Sequence, residues 1–223
     1  EWVGFYRVRP SRFEQFAYLD ELTGVTRVRW DGEELHLEPL AGSARALTPI
    51  GGRLFRAPDR REATHVLLRT SEGTPVVSDG LRTLERVNAV SLWGLWLNAA
   101  VGVLALAYLL VVGTSRSVMA LRRGEWRNEP LRWPVLCLML LVIAPGLYLT
   151  QSFLAIGDPT LANVAIAVLS GVLPAALLLG AVQVVRAGFS TLRARLDLGA
   201  IAGLLQWYAV LAAWGLAPLV LWW

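Results

Sequence analysis

Two histidines, His36 and His65, one cysteine, Cys137, and the paired carboxylates Glu33 and Glu34 are the side chains of this 223-residue chain best suited to acid–base or metal chemistry. The histidines stand far apart, with no companion cysteine and no His–carboxylate spacing, so no local pattern assembles a zinc site. Glu33 and Glu34 follow Asp31-Gly32, a turn signal, and a carboxylate solvated beside a tight turn lacks the burial that tunes a general acid. His36 reads as a solvated residue on the polar face of a strand and His65 as a strand-edge residue. All 21 basic residues are arginine. Without lysine there is no Ser-x-x-Lys nucleophile, no P-loop and no Schiff base, and no Gly-x-Ser-x-Gly elbow occurs either. The sequence therefore predicts no catalytic, cofactor-binding or metal-ligating residue, and the chain reads as non-enzymatic.

What must position these side chains is a membrane protein. A hydrophobic fraction of 55% and a mean hydropathy of +0.50 are too apolar for a soluble domain of this length. Residues 1–90 hold 13 Arg against 13 Asp or Glu, and the remainder holds 8 Arg against 4 acids, so the net charge of +4 sits on the apolar half. A small excess beside apolar spans speaks of lipid head groups and topology, and nucleic acid is not an expected partner. Arginine-only usage is the mark of a GC-rich bacterial genome. A chain that opens on Glu1, with no initiator Met or apolar leader, is expected to be the C-terminal part of a longer polypeptide.

Four uncharged runs, 91–114, 133–157, 159–185 and 198–223, each exceed the roughly 20 residues a helix needs to cross the hydrocarbon, which predicts a four-helix transmembrane bundle. The connector 115–132 carries Arg116, Arg122, Arg123, Arg127 and Arg132, and 186–197 carries Arg186, Arg193 and Arg195. By the positive-inside rule these loops are cytoplasmic, which leaves residues 1–90, Asp158 and the C-terminus outside. Trp93, Trp96, Tyr148, Trp222 and Trp223 then fall at the outer interface, and Trp126 and Trp133 at the inner one. The polar residues inside the spans, Asn98, Gln151, Asn163, Gln183 and Gln206, are not ionisable and read as helix-to-helix hydrogen-bonding groups. Pro145, Pro174 and Pro218 read as kinks, and Gly171 with Ala175 as a close-packing pair.

Residues 1–90 alternate as short strands. "TRVRW" and "ELHLEPL" flank Asp31-Gly32, a type I′ hairpin signal. Further strands are expected at 5–8, 53–56, 64–69, 74–77 and 83–87, with turns at Gly51-Gly52, 71–73 and Asp79-Gly80. Ser11 and Glu14 form a capping box before "FEQFAYLDEL", which Gly24 terminates. The fold expected is mixed β and α: an antiparallel meander of six or seven strands, a lipocalin-like partial barrel, followed by the four helices. Cys137 lies within a span, so no disulfide framework exists.

The order of "GFYRVRPSRFEQF", the Asp31-Gly32 hairpin, "LFR" and "LERV" running into apolar helices resembles the C-terminal region of membrane-anchored serine hydrolases of the beta-lactamase-related, penicillin-binding-protein-like family. The residues that carry the likeness are Tyr6, Arg7, Arg9, Ser11, Asp31, Gly32, Leu54, Phe55, Arg56 and Leu84, Glu85, Arg86, Val87. The resemblance implies an upstream catalytic domain of esterase or peptidase type, outside the bacterial cytoplasmic membrane, with this chain as its spacer and anchor. None of that family's catalytic motifs occurs here, so no catalytic residue carries over.

The alternative is an extracytoplasmic sensing module of a four-helix receptor, which would continue into cytoplasmic signalling sequence. A small transporter is disfavoured by the lack of intramembrane charge. The topology has a direct consequence: alkaline phosphatase fused near Arg123 should be inactive, whereas fusions at Asp158 and after Trp223 should be active. Activity at Arg123 would reverse the assignment.

Overall fold

The structure, a computed structural model, describes residues 2–9, 17–151, 158–188 and 190–220. The chain divides into two compact units, Glu1–Trp96 and Leu97–Trp223. The division falls inside the first long helix rather than at residue 90, because the opening turns of that helix belong to the β unit.

The first unit is a closed eight-stranded antiparallel barrel. Its strands are β1 (Gly4–Arg9), β2 (Val25–Trp30), β3 (Leu35–Pro39), β4 (Arg45–Gly51), β5 (Leu54–Arg56), β6 (His65–Arg69), β7 (Pro75–Ser78) and β8 (Thr83–Val87). Consecutive strands pair, and β8 returns to β1 over the register Phe5↔Val87 to Arg9↔Thr83. Side chains in a strand alternate between faces, so each strand sends every second residue inward. Tyr6, Val28, Leu35, Leu37, Leu47, Phe55, Leu67 and Val77 fill the interior. The seven strands foreseen are all present. The eighth, β4, links β3 to β5 in a meander that β8 closes on β1, where the sequence predicts a partial barrel. It escapes the pattern because Pro49 and a register shift between Pro49 and Gly51 interrupt its alternation.

The hairpin at Asp31-Gly32 joins β2 to β3, with Trp30 opposite Leu35. Its turn is not type I′, since only Gly32 has positive φ, at 110°. Instead Asp31 Oδ1 accepts from the N–H groups of Glu33 at 3.0 Å and Glu34 at 2.8 Å. A four-residue loop closed by an aspartate replaces the two-residue turn.

Helix α1 (Ala17–Thr23) ends where Gly24 N–H donates to Asp20 O at 2.8 Å. A Cβ at Gly24 would stand 2.6 Å from that carbonyl. Glu21 of α1 is buried and pairs with Arg7 and, at 2.7 Å, with Arg9, both on β1. The proposed capping residues Ser11 and Glu14 lie outside the described residues. Only Asn88 separates β8 from α2 (Ala89–Tyr108). Asn88 Oδ1 accepts from Val90 N–H at 2.8 Å, and Trp96 Nε1 donates to Leu22 O at 2.9 Å, so α2 begins as part of the barrel unit.

In the second unit α2 runs through a π-helical turn, Leu109–Gly113, into α3 (Thr114–Arg122). A short 3₁₀ turn, Trp126–Asn128, precedes α4 (Arg132–Ile143), which tightens at Pro145 into a 3₁₀ run to Thr150. Helices α5 (Leu161–Ala187) and α6 (Leu192–Ala213) follow. Four helical stretches, Ala89–Arg122, Arg132–Thr150, Leu161–Ala187 and Leu192–Ala213, are long and apolar enough to cross a membrane. The first is longer than the uncharged run 91–114 and the last starts six residues before residue 198, so both take in charged residues. After Ala213 the chain leaves the helix, and Leu219 N–H donates to Ser170 Oγ of α5 at 2.9 Å. Trp222 and Trp223 lie outside the described residues. Pro174 sits inside an unbroken α5.

Gly171 and Ala175 are exposed and do not make the close approach expected of them. Gly102, Gly113, Gly180 and Gly203 do: a Cβ on them would meet Trp207 at 2.3 Å, Val135 at 2.8 Å, Pro134 at 2.6 Å and Val101 at 3.0 Å. Hydrocarbon supplies no hydrophobic drive between helices, so such close van der Waals contact is what binds them.

At Gly32 no atom stands within 4 Å of a notional Cβ, so any cost of a side chain there is backbone strain alone. Gly32→Val should destabilise the barrel by about 1 to 3 kcal/mol, read by urea pulse proteolysis of the chain in detergent. An unchanged midpoint would show that the loop tolerates a β-branched residue at positive φ.

Candidate functional site

The most tightly built polar constellation among the described residues lies in the helical unit. Arg116, on the first turn of α3, donates through Nη1 to both carboxylate oxygens of Asp197 on α6, at 2.7 and 2.8 Å. Its Nη2 donates to Glu129 Oε1 at 2.8 Å. Tyr108, at the end of α2, adds a hydrogen bond to Asp197 Oδ1 at 2.8 Å. Leu131 N–H reaches Glu129 Oε1 at 3.3 Å, and Arg193 stands 3.9 Å from Glu129 Oε2. Asp197 is only 2% exposed. Two arginines against two carboxylates leave the group neutral, which is the condition for burying charge.

The local sequence explains the placement. The π turn at Leu109–Gly113 lets Gly113 close on Val135 and resets the helical phase just before Arg116. Thr191 caps α6 by accepting from Ala194 N–H at 3.2 Å, which puts Asp197 on the second turn. The residues are 81 positions apart, so no spacing in the sequence announces them. The uncharged runs 91–114 and 198–223 hold no such charge themselves, but the helices that contain them extend further and bury Arg116 and Asp197. A mixed-charge cleft of about 580 Å³ opens beside the cluster, with Arg123 and Glu125 on its walls as well. Three arginines and three acids line it, which gives it no preference for either sign of ligand.

The residues singled out by sequence lie elsewhere. Asn163 is fully buried, accepts from Tyr148 O–H and donates to Asp158 O at 2.6 Å, so it locks the 3₁₀ run to α5 as a helix-to-helix hydrogen bond should. Gln206 is exposed, and Cys137 Sγ donates to Leu169 O at 3.4 Å. His36 Nε2 lies 2.6 Å from Asp31 Oδ2 on the barrel exterior. The turn amides of Glu34 and Glu33, with His36, hold the Asp31 carboxyl well below the usual range. His65 is not an edge residue: it points into one mouth of the barrel and is 9% exposed. Among the described residues no cluster of three His, Cys, Asp or Glu could hold a metal ion.

The chain matches no protein-family model, and no curated protein or solved structure is significantly similar to it. The likeness to beta-lactamase-related hydrolases rests on the residues quoted above alone.

Removing one partner from a buried pair strands the other. Arg116→Met should therefore destabilise the helical unit by about 3 to 5 kcal/mol, whereas Arg116→Met with Asp197→Leu and Glu129→Leu should recover most of that loss. Thermal unfolding in detergent separates the two, and a triple variant as unstable as the single one would assign the cluster a role beyond charge compensation.

Proposed function

We propose that this chain is the non-catalytic anchor and spacer of a larger protein of the bacterial cytoplasmic membrane, with the barrel on the periplasmic side. The observation that carries this reading is the filled interior of the barrel. Tyr6, Val28 and Leu47 are wholly buried and Val77 is 1% exposed. A lipocalin-type carrier needs a hollow core for an apolar ligand, and this barrel has spent that space on its own side chains. The neutral cluster of Arg116, Arg193, Asp197 and Glu129 fits a bundle built to hold its helices together.

The domain it serves, on this proposal, is a serine hydrolase of the beta-lactamase-related type. Support comes from order: Tyr6 and Arg7 stand on β1, Asp31-Gly32 joins β2 to β3, Leu54–Arg56 is β5, and Leu84 to Val87 lie on β8. Every described motif of the resemblance thus falls on one closed barrel in sequence order. The join through Asn88 alone passes that barrel directly to the first long helix.

A fluorescent penicillin or phosphonate applied to the full-length polypeptide should mark a serine in a Ser-x-x-Lys motif outside this chain. Residues 1–223 expressed alone should stay unlabelled and inert towards activated esters. A full-length polypeptide without that motif would remove the hydrolase and leave the sensing module in its place.

A further inference from the structure

The two mouths of the barrel differ. At one, Trp2 packs against the core with the guanidinium groups of Arg53 and Arg69 at 5.9 and 5.5 Å from its ring. At the other the described residues leave a cavity of about 330 Å³, with Leu37, Val77 and Leu84 as its floor. Its wall carries Arg45 from β4, His65 from β6, and Asp79 and Arg82 from the β7–β8 turn.

Hydrogen bonds fix which way His65 faces. Thr64 Oγ1 accepts from Ala57 N–H at 2.9 Å and lies 2.9 Å from His65 Nδ1. The threonine oxygen keeps a second lone pair, so it can donate to Nδ1 or accept from Nδ1–H; when it donates, the imidazole proton sits on Nε2, and when the ring is protonated both nitrogens carry one. Among the described residues Nε2 has no partner, and it is not one of the sealed, unsatisfied polar atoms. It is therefore solvent-accessible on a residue that lines this cavity. The guanidinium groups of Arg45 and Arg82 likewise have no acceptor among the described residues. Asp79 Oδ1 is occupied by its own turn, accepting from Leu81 N–H at 2.9 Å and Arg82 N–H at 2.5 Å.

We infer that this mouth is a binding site for a phosphate group, held by Nε2–H of His65 and the forked guanidinium groups of Arg45 and Arg82. Two cations and a third, neutral donor match the three oxygens and double charge of a phosphate monoester. They match a two-oxygen carboxylate less well. The site goes beyond the anchoring role and stands whether or not a hydrolase is attached. The phosphate monoester can come from a soluble phosphorylated metabolite or from phosphatidic acid, whose lipid head group is itself a monoester.

Burial, with Arg45 nearby, pushes the His65 imidazole below its ordinary value, and Asp79 opposes this. In the adjoining cleft that His65 also lines, Asp59 and Arg60 pair with each other at 3.5 Å. A dianion seated against Nε2 would favour the imidazolium, so phosphate binding should take up a proton. His36, the only other histidine, serves as an internal control.

The test follows the imidazole Cε1–H signals of the whole chain in nanodiscs. In neutral phosphatidylcholine discs, glycerol 3-phosphate should shift the His65 signal saturably and raise its pKa by about one pH unit, with His36 unmoved. Arg45→Gln and Arg82→Gln, both at exposed positions, should each weaken binding about tenfold or more, as the loss of a charge-assisted bond predicts. Arg27→Gln, on the outer face of β2, should not. If the same His65 shift appears in discs containing phosphatidic acid, without added glycerol 3-phosphate, the source is the head group. If it needs glycerol 3-phosphate, the source is soluble. Equal shifts at both histidines, no saturable shift in either disc, or indifference to the two arginine variants would overturn the site.

Discussion

Closure of the sheet between β1 and β8 is the constraint from which the rest of the first unit follows. An open eight-stranded meander would present two unpaired edges, each a template for another chain. Pairing Phe5 with Val87 through Arg9 with Thr83 abolishes both. Once closed, the barrel has an inside, and the alternation of every strand sorts side chains between a core and a surface. The same closure places the end of β8 next to β1, the strand that α1 straps down through Glu21. The first long helix starts one residue after β8.

The helical unit solves a different problem. Its spans are apolar on every side, so burial alone cannot choose which faces meet. Two devices make that choice. Glycines at 102, 113, 180 and 203 permit approaches that any side chain would block, and one buried arginine ties α3 to α6 and to the segment before α4. The glycines act by shape and the arginine by charge. Both are specific to one arrangement, because a slipped helix would meet a clash in the first case and an unpaired ion in the second.

Much of this was legible in the sequence and some was not, for physical reasons. Period-two alternation exposed seven strands, and the length of the apolar runs exposed four long helices. Strand β4 stayed hidden because Pro49 reads as a strand breaker, although on a bulged strand its missing N–H costs nothing. The Asp31-Gly32 loop was placed correctly but given the wrong turn, since the pair signals a hairpin without saying whether a backbone or a side-chain acceptor will close it. Arg116 and Asp197 looked like loop charges because composition marks where a run of apolar residues stops and cannot mark where the helix stops. His65 looked like an edge residue because, with β4 unseen, β5 and β6 belonged to an open sheet.

Arginine carries every positive charge in the chain, so its type says nothing about its role, and the partner of each one does. Arg7 and Arg116 are buried against carboxylates and are spent on the fold. Arg53 and Arg69 lie over the ring of Trp2, where a flat, weakly hydrated cation adds to the plug. Arg45 and Arg82 have neither a carboxylate nor a ring among the described residues, yet they rim a cavity whose third wall is a histidine oriented by Thr64. A barrel that fills its core with Tyr6 and Leu47 keeps the groups that pack it apart from the two arginines and the imidazole of the inferred phosphate site. A phosphate bound at that mouth would meet polar groups that the packing of the interior does not use.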